Sequence, residues 1–221
     1  MDKENYIPPV IPHINVENGY GADRIITMLE ESGLKANIDR VNWPEFPYKP
    51  LTTFSIAHTD KSLFIDFFVR CNYLRAMNYE TNTPVHEDSS VAMAFQAPLR
   101  ENSFVYLEFN CIGTKAGQYV EAGERSRQID PSVLDKIVVS PSCGFKPFRE
   151  LEGLFSWNIL VEIPLSLFGL ESVDFPFKGV RCNFYKCASG TQQPHFLSWQ
   201  PVDTQRPDFK NQSSLREIVL E

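Results

Sequence analysis

The sequence is short of the features that announce the commonest functions. No apolar run approaches the roughly 18 residues that a membrane span requires, and the opening MDKENYIPPVIPHIN has neither the basic start nor the apolar stretch of a signal peptide. The expectation is a cytoplasmic chain without a membrane span, or a periplasmic or secreted one if a leader was removed ahead of Met1. Positive charge is scarce: 21 Lys and Arg stand against 28 Asp and Glu, a net charge of -7. Phosphate neutralisation needs clustered cations, so a nucleic-acid partner is excluded as the main role. Cysteine is low and odd in number, with Cys71, Cys111, Cys143, Cys182 and Cys187 forming no C-x-x-C pair. Neither a disulfide framework nor a zinc site follows, and the thiols read as reduced core residues. The four histidines, His13, His58, His86 and His195, show no metal-ligand spacing. No nucleophile elbow, P-loop, dinucleotide fingerprint or H-E-x-x-H sequence is present, which removes the enzyme classes that carry those motifs.

Helical periodicity is equally sparse. Ala22 to Ser32 places Ile25, Ile26, Met28 and Leu29 at helical spacing and stops before Gly33. A lesser helical turn is expected at Pro164 to Phe168, with Gly169 as its stop. Most of the remainder alternates. Thr52 to His58, Ser62 to Arg70, Ser90 to Gln96, Ser103 to Ile112, Leu154 to Ile163, Val180 to Cys187 and His195 to Trp199 are rich in β-branched and aromatic residues, with turn-forming residues between them. In Ser62 to Arg70 the apolar set Leu63, Ile65, Phe67 and Val69 faces one way and Phe64, Asp66, Phe68 and Arg70 the other. Phe155, Trp157, Ile159, Val161 and Ile163 form another apolar face. Cys182 and Cys187, five apart on one strand, point to opposite faces. The polar stretch 113–153 is the least determined, with irregular strands expected near Arg125 to Ile129 and Ile137 to Ser140. The fold expected is all-β, an antiparallel immunoglobulin-like or jelly-roll sandwich with a short N-terminal helix. It forms one domain over residues 1–221, with 1–40 as an N-terminal extension carrying the helix.

What chemistry the chain offers is limited. Glu87 and Asp88 in HEDSS are adjacent, and adjacent strand residues face opposite ways, so they suit a turn better than the flanking acid and base of glycoside hydrolysis. Asp66 and Glu108 are the other carboxylates open to a hydrolytic reading. A haem-binding reading rests on His195 with Met77 or Met93. Saccharide recognition needs flat apolar faces and planar hydrogen-bonding groups. Trp43, Tyr73, Tyr185, Trp199 and Phe209 offer the former near strand ends; Asn110, Asn183, Arg70, Arg75, Arg125, Arg127 and Arg206 offer the latter.

The segments NWPEFPYKP (42–50), HEDSSVAMAF (86–95), FNCIGT (109–114), NFYKC (183–187), PHFLSWQPV (194–202) and PDF (207–209) occur in an order that resembles the family 9-like carbohydrate-binding proteins of gut Bacteroidetes. The resemblance implies a β-sandwich related to DOMON domains and a non-catalytic module for a mono- or oligosaccharide. It also implies a glycoside hydrolase as candidate partner and calcium as candidate ion. In the best-known modules of this kind two Trp rings clamp the sugar, with Arg, Glu and amide side chains on its hydroxyls. On that pattern His86 stands at the first clamp Trp, Ala92 at the acidic ligand, Asn110 at an Arg, Asn183 near the amide and Phe209 at the second clamp Trp. The expected carbohydrate-binding set is Asn110, Asn183, Tyr185, Arg206, Phe209 and His86, with no catalytic residue. Two outcomes follow from the exchanges at 86 and 92: a different site near Arg125, Arg127 and Tyr119, or a structural role for the domain.

Overall fold

The computed structural model describes residues 6–17, 19–98, 100, 102–121, 125–170 and 176–221. Two sheets face each other. The first has five strands in the order β10-β11-β5-β4-β2: β2 is Leu34–Asn37, β4 Leu51–His58, β5 Ser62–Ala76, β10 Val138–Pro141 and β11 Phe148–Pro164. The second has nine strands. Its main path contains β1 (Val10–Ile11), β14 (Arg216–Leu220), β12 (Phe177–Cys187), β6 (Ser90–Gln96), β7 (Ser103–Asn110), β8 (Lys115–Glu121) and β9 (Arg125–Gln128), in that order. Beside β12 runs β13 (Phe196–Ser198), which pairs β3 (Arg40–Val41). All pairs are antiparallel except β1 with β14.

Side-chain alternation builds the interior. Leu63, Ile65, Phe67 and Val69 of β5 and Trp157, Ile159, Val161 and Ile163 of β11 meet Val91, Met93 and Phe95 of β6, Val105, Leu107 and Phe109 of β7, and Val180, Cys182 and Phe184 of β12. This is the arrangement the alternation predicts, and Cys182 lies in it while Cys187 packs on the opposite face of β12. The helix α1 (Ala22–Ser32) forms where expected and packs Ile25 and Leu29 over Ala57, Phe64 and Leu160 on the outside of the five-stranded sheet. Its stop works sterically: Gly33 is extended, at φ -71°, but a Cβ there would lie 2.6 Å from the Leu29 carbonyl oxygen. The second turn, Leu165–Phe168, is a short 3₁₀ segment closed by left-handed Gly169 at φ 75°.

Several boundaries differ from the sequence reading for definite reasons. The strand expected to run to Ile112 ends at Asn110, because the Asn110 Oδ1 accepts the backbone N–H groups of Ile112 and Thr114 and turns the chain into β8. β5 continues past Arg70 to Ala76 because β11 pairs with it as far as Phe148. The segment before residue 40 is woven in rather than appended: β1 pairs β14, β2 extends the five-stranded sheet, and His13 bridges His58.

Candidate functional site

The outer face of the nine-stranded sheet carries a second apolar layer. Ala92 and Ala94 of β6, Tyr106 of β7 and Tyr185 and Cys187 of β12 point outward and are covered by Trp43, Val202, Phe209 and Leu215. The covering segment leaves a cleft of about 360 Å³ at one edge of this layer. Phe209, Phe196 and Tyr106 give it apolar walls; His86, Glu108, Gln118 and Lys210 supply polar groups, with Asn82, Thr83, Gln128 and Asp208 at its margin.

Each polar group is held by the fold. Tyr106 and Glu108 are two apart on β7 and so share its outer face. The Tyr106 hydroxyl donates to Glu108 Oε1 at 2.9 Å, leaving Oε2 beside His86 Nδ1 at 3.9 Å. Glu108 is 13% exposed and His86 49%. The Glu108 carboxylate raises the His86 pKa above its ordinary value, against the opposing effect of burial. Burial drives the Tyr106 pKa well up, and the nearby Glu108 charge adds to it, so the phenol stays a neutral donor. Lys210 Nζ donates to Gln118 Oε1 at 3.0 Å and sits 5.9 Å above the Tyr106 ring. Phe209 is stacked on Tyr185 at 4.2 Å and 20° and lies 5.9 Å from Trp43. Tyr185 is anchored through its hydroxyl to Ser214 Oγ at 3.0 Å.

Of the six residues singled out from sequence, His86 and Phe209 line the cleft. Tyr185 is buried beneath Phe209, and Arg206 is exposed and outside the lining. Asn110 and Asn183 are fully buried, and their amides are taken up by hydrogen bonds within the chain. Besides the two N–H groups at its Oδ1, Asn110 donates to Asn78 O at 2.8 Å and Asp88 Oδ2 at 3.0 Å. Asn183 donates to Gln200 O and Ser214 O and accepts from the N–H of Phe184 and Gln200. The two amides are therefore scaffold. Asn110 holds the turn that carries His86, and Asn183 holds both ends of the segment that carries Phe209.

That first turn is built around Asp88. A short 3₁₀ segment, Val85–Glu87, precedes it, and its carboxylate accepts from Arg75 Nη1, Met77 N, Asn78 N and Asn110 Nδ2 at 2.8–3.0 Å. HEDSS thus forms a turn, as read from sequence. The sequence reading offered Glu108 only as a hydrolytic carboxylate, and it passed over Tyr106, Gln118 and Lys210. The available signal was alternation along β7, combined with the pairing of Ala92 with Glu108. The carboxylate absent at 92 is offered one strand across.

The hydrolytic and metal readings find little geometry. Glu108 and Asp66 lie on opposite outer faces of the sandwich and cannot flank one bond. Met93 lies between the sheets. Asp130 caps the short helix α2 (Pro131–Leu134) by accepting from Ser132 N and Oγ. Among the described residues no group of three or more His, Cys, Asp or Glu side chains comes together as a metal site. Tyr119 and Arg127 stack away from the cleft, with the guanidinium carbon 5.3 Å above the ring, and the Arg125 side chain lies outside the described residues.

Comparison with known proteins adds the following. The family model described as carbohydrate-binding family 9 matches residues 24–220. A crystal structure from Bacteroides uniformis ATCC 8492, described provisionally as carbohydrate-binding, is 29% identical with a TM-score of 0.89, covering 96% of this chain and 98% of that one. A family 9 module from Caldicellulosiruptor kristjanssonii in complex with glucose is 12% identical with a TM-score of 0.55, covering 96% of this chain and 94% of that one. The same organism's module with cellotriose gives 13%, 0.53, 96% and 93%. At that identity the likeness speaks for the fold. No curated protein matches the sequence.

Proposed function

The chain belongs to carbohydrate-binding family 9, and from that premise we propose that the cleft between His86 and Phe209 binds a saccharide without catalysing its cleavage. The observation that carries the reading is the convergence of Glu108, His86 and Lys210 on a cavity walled by Phe209 and Phe196. A pyranose has an apolar C–H face and a rim of hydroxyls; the rings suit the former, the carboxylate and cations the latter. A volume of about 360 Å³ sits at the small end of ligand pockets, which suits a mono- or disaccharide unit or a chain end. Because the C. kristjanssonii module holds glucose and cellotriose, gluco-configured sugars are the first probes. Binding without chemistry is the role in which the domain would serve a glycoside-degrading partner.

Calorimetry against glucose, xylose and their β-1,4 oligomers tests the proposal. Binding is expected, with Glu108→Gln weakening it about 10- to 100-fold, the equivalent of a charged hydrogen bond of roughly 1.5–3 kcal/mol. Silence across these sugars would remove the reading, and release of chromophore from aryl glycosides would replace it with an enzymatic one.

A further inference from the structure

The helix α1 leaves part of the outer face of the five-stranded sheet open. Beyond the edge of α1 this face forms a groove of about 690 Å³, walled by Ile26 and Glu30 of the helix and by Lys35 of β2. Its floor follows the strand register. Ser55 pairs Lys35 on one side and Asp66 on the other. One rung on, Thr53 pairs Phe68, which pairs Asn158. All five of Thr53, Ser55, Asp66, Phe68 and Asn158 point into the groove.

Asp66 is the residue the fold does not explain. It is 8% exposed, yet it accepts one hydrogen bond, from Asn158 Nδ2 to Oδ1 at 3.0 Å. Among the described residues no cation pairs with it. Burial pushes its pKa up to about 6, so keeping it ionised in the folded state costs stability. A buried carboxylate with spare acceptor capacity, set in a groove at a cost to folding, marks a binding position rather than a packing one. Beside it Phe68 leaves 36% of its surface open on an otherwise polar floor, an apolar plate among hydrogen-bonding groups.

We propose that this groove is a second saccharide-binding site, taking a neutral sugar chain across the strands. Phe68 offers the flat face for a pyranose ring; Asp66 and Asn158 accept from and donate to its hydroxyls, and Ser55 and Thr53 complete the row. The inference rests on the carbohydrate reading of the domain. It places a second contact on the outer face opposite the His86 cleft, so that one domain engages two chains or two stretches of one polymer. Glu30 and Asp66 are the carboxylates lining the groove, fewer than a dedicated calcium cage gathers.

The test is a titration of the uniformly ¹⁵N-labelled full chain with cellohexaose and with calcium chloride, followed by amide shifts and by calorimetric stoichiometry. Cellohexaose is expected to move two separate sets of amides, one around Glu108 and Phe209 and one around Ser55, Asp66 and Phe68. In Phe68→Ala and Asp66→Asn the second set should weaken at least tenfold while the first is unchanged. Asp66→Asn should melt no lower than the parent, which separates ligand contact from support of the fold. Shifts confined to the His86 cleft overturn the second site and leave the first; no shift in either region overturns the saccharide reading itself. Groove shifts with calcium but not with cellohexaose assign the groove to a cation and overturn the proposal, as does an Asp66→Asn variant that loses stability and keeps both sets of shifts.

Discussion

Replacing Asp88 by Ala puts the account of the His86 turn at risk most sharply. The carboxylate is fully buried and takes four donors: Arg75 Nη1 at 2.9 Å, Met77 N at 2.9 Å, Asn78 N at 2.8 Å and Asn110 Nδ2 at 3.0 Å. Removing it leaves the part-buried N–H groups of Met77 and Asn78 without this acceptor and strips the Asn110 amide of one of its two acceptors, Asn78 O remaining. It also leaves Arg75, 18% exposed, with only a 3.7 Å contact to Glu87. Hydrogen bonds to a charged group contribute roughly 1.5–3 kcal/mol each but do not add, and breaking a buried ion pair costs about 3–5 kcal/mol. A loss of about 4 kcal/mol is therefore expected, a large part of the roughly 5–15 kcal/mol that holds a domain together. For a chain of this length it corresponds to a fall in Tm on the order of 8–16 °C. Urea denaturation followed by tryptophan fluorescence measures it, with Glu87→Ala as neighbour control. Glu87 is 44% exposed at a long ion-pair distance and should cost less than about 1 kcal/mol. Equal and small losses for the two variants would refute the claim that Asp88 is the centre of the turn.

Three further outcomes follow from titrating groups. His86 has its pKa raised by Glu108, so their interaction stabilises the fold fully below the ordinary histidine value of 6.5 and is lost as pH rises through the higher folded value. The Tm difference between the parent and Glu108→Gln should accordingly shrink from pH 6 to pH 8, and an NMR titration of His86 should show its pKa fall in the variant. Lys186 is fully buried, donates to Cys187 O at 2.8 Å, and has its pKa lowered to about 8 by desolvation. Its penalty is complete below about pH 8 and relieved toward 10.5, so Lys186→Met should gain about 1–3 kcal/mol at pH 7 and less at pH 9 by urea denaturation. Asp66, raised from 3.8 to about 6, carries a penalty that grows as pH rises through that window. Asp66→Asn should match the parent's stability near pH 3.5 and exceed it above pH 6, by an amount on the order of 2–3 kcal/mol at most.

The fold was legible where both faces of a strand carry a pattern. In Ser62 to Arg70 the inward and outward sets were separable because a central strand has one apolar face and one mixed face, and the same alternation divided Cys182 from Cys187. β8 was not legible: Lys115–Glu121 is half-buried and polar, since its outer face lines the cleft through Ala116 and Gln118. The site was only half readable for a related reason. Sequence identifies Asn110 and Asn183 as planar polar groups but not what covers them: the turn at Asn78 and Asp88 encloses the first, and the segment 199–215 folds back over the sheet onto the second. Glu108 opposite Ala92 depends on the register between two strands, and no spacing along one strand reveals it.

A structure of the domain with a bound cello-oligosaccharide tests the central claim most directly. The account predicts a sugar ring against Phe209 with a hydroxyl on Glu108 and another within reach of His86. A sugar seated elsewhere on the sandwich, with the cleft between His86 and Phe209 empty, would contradict it.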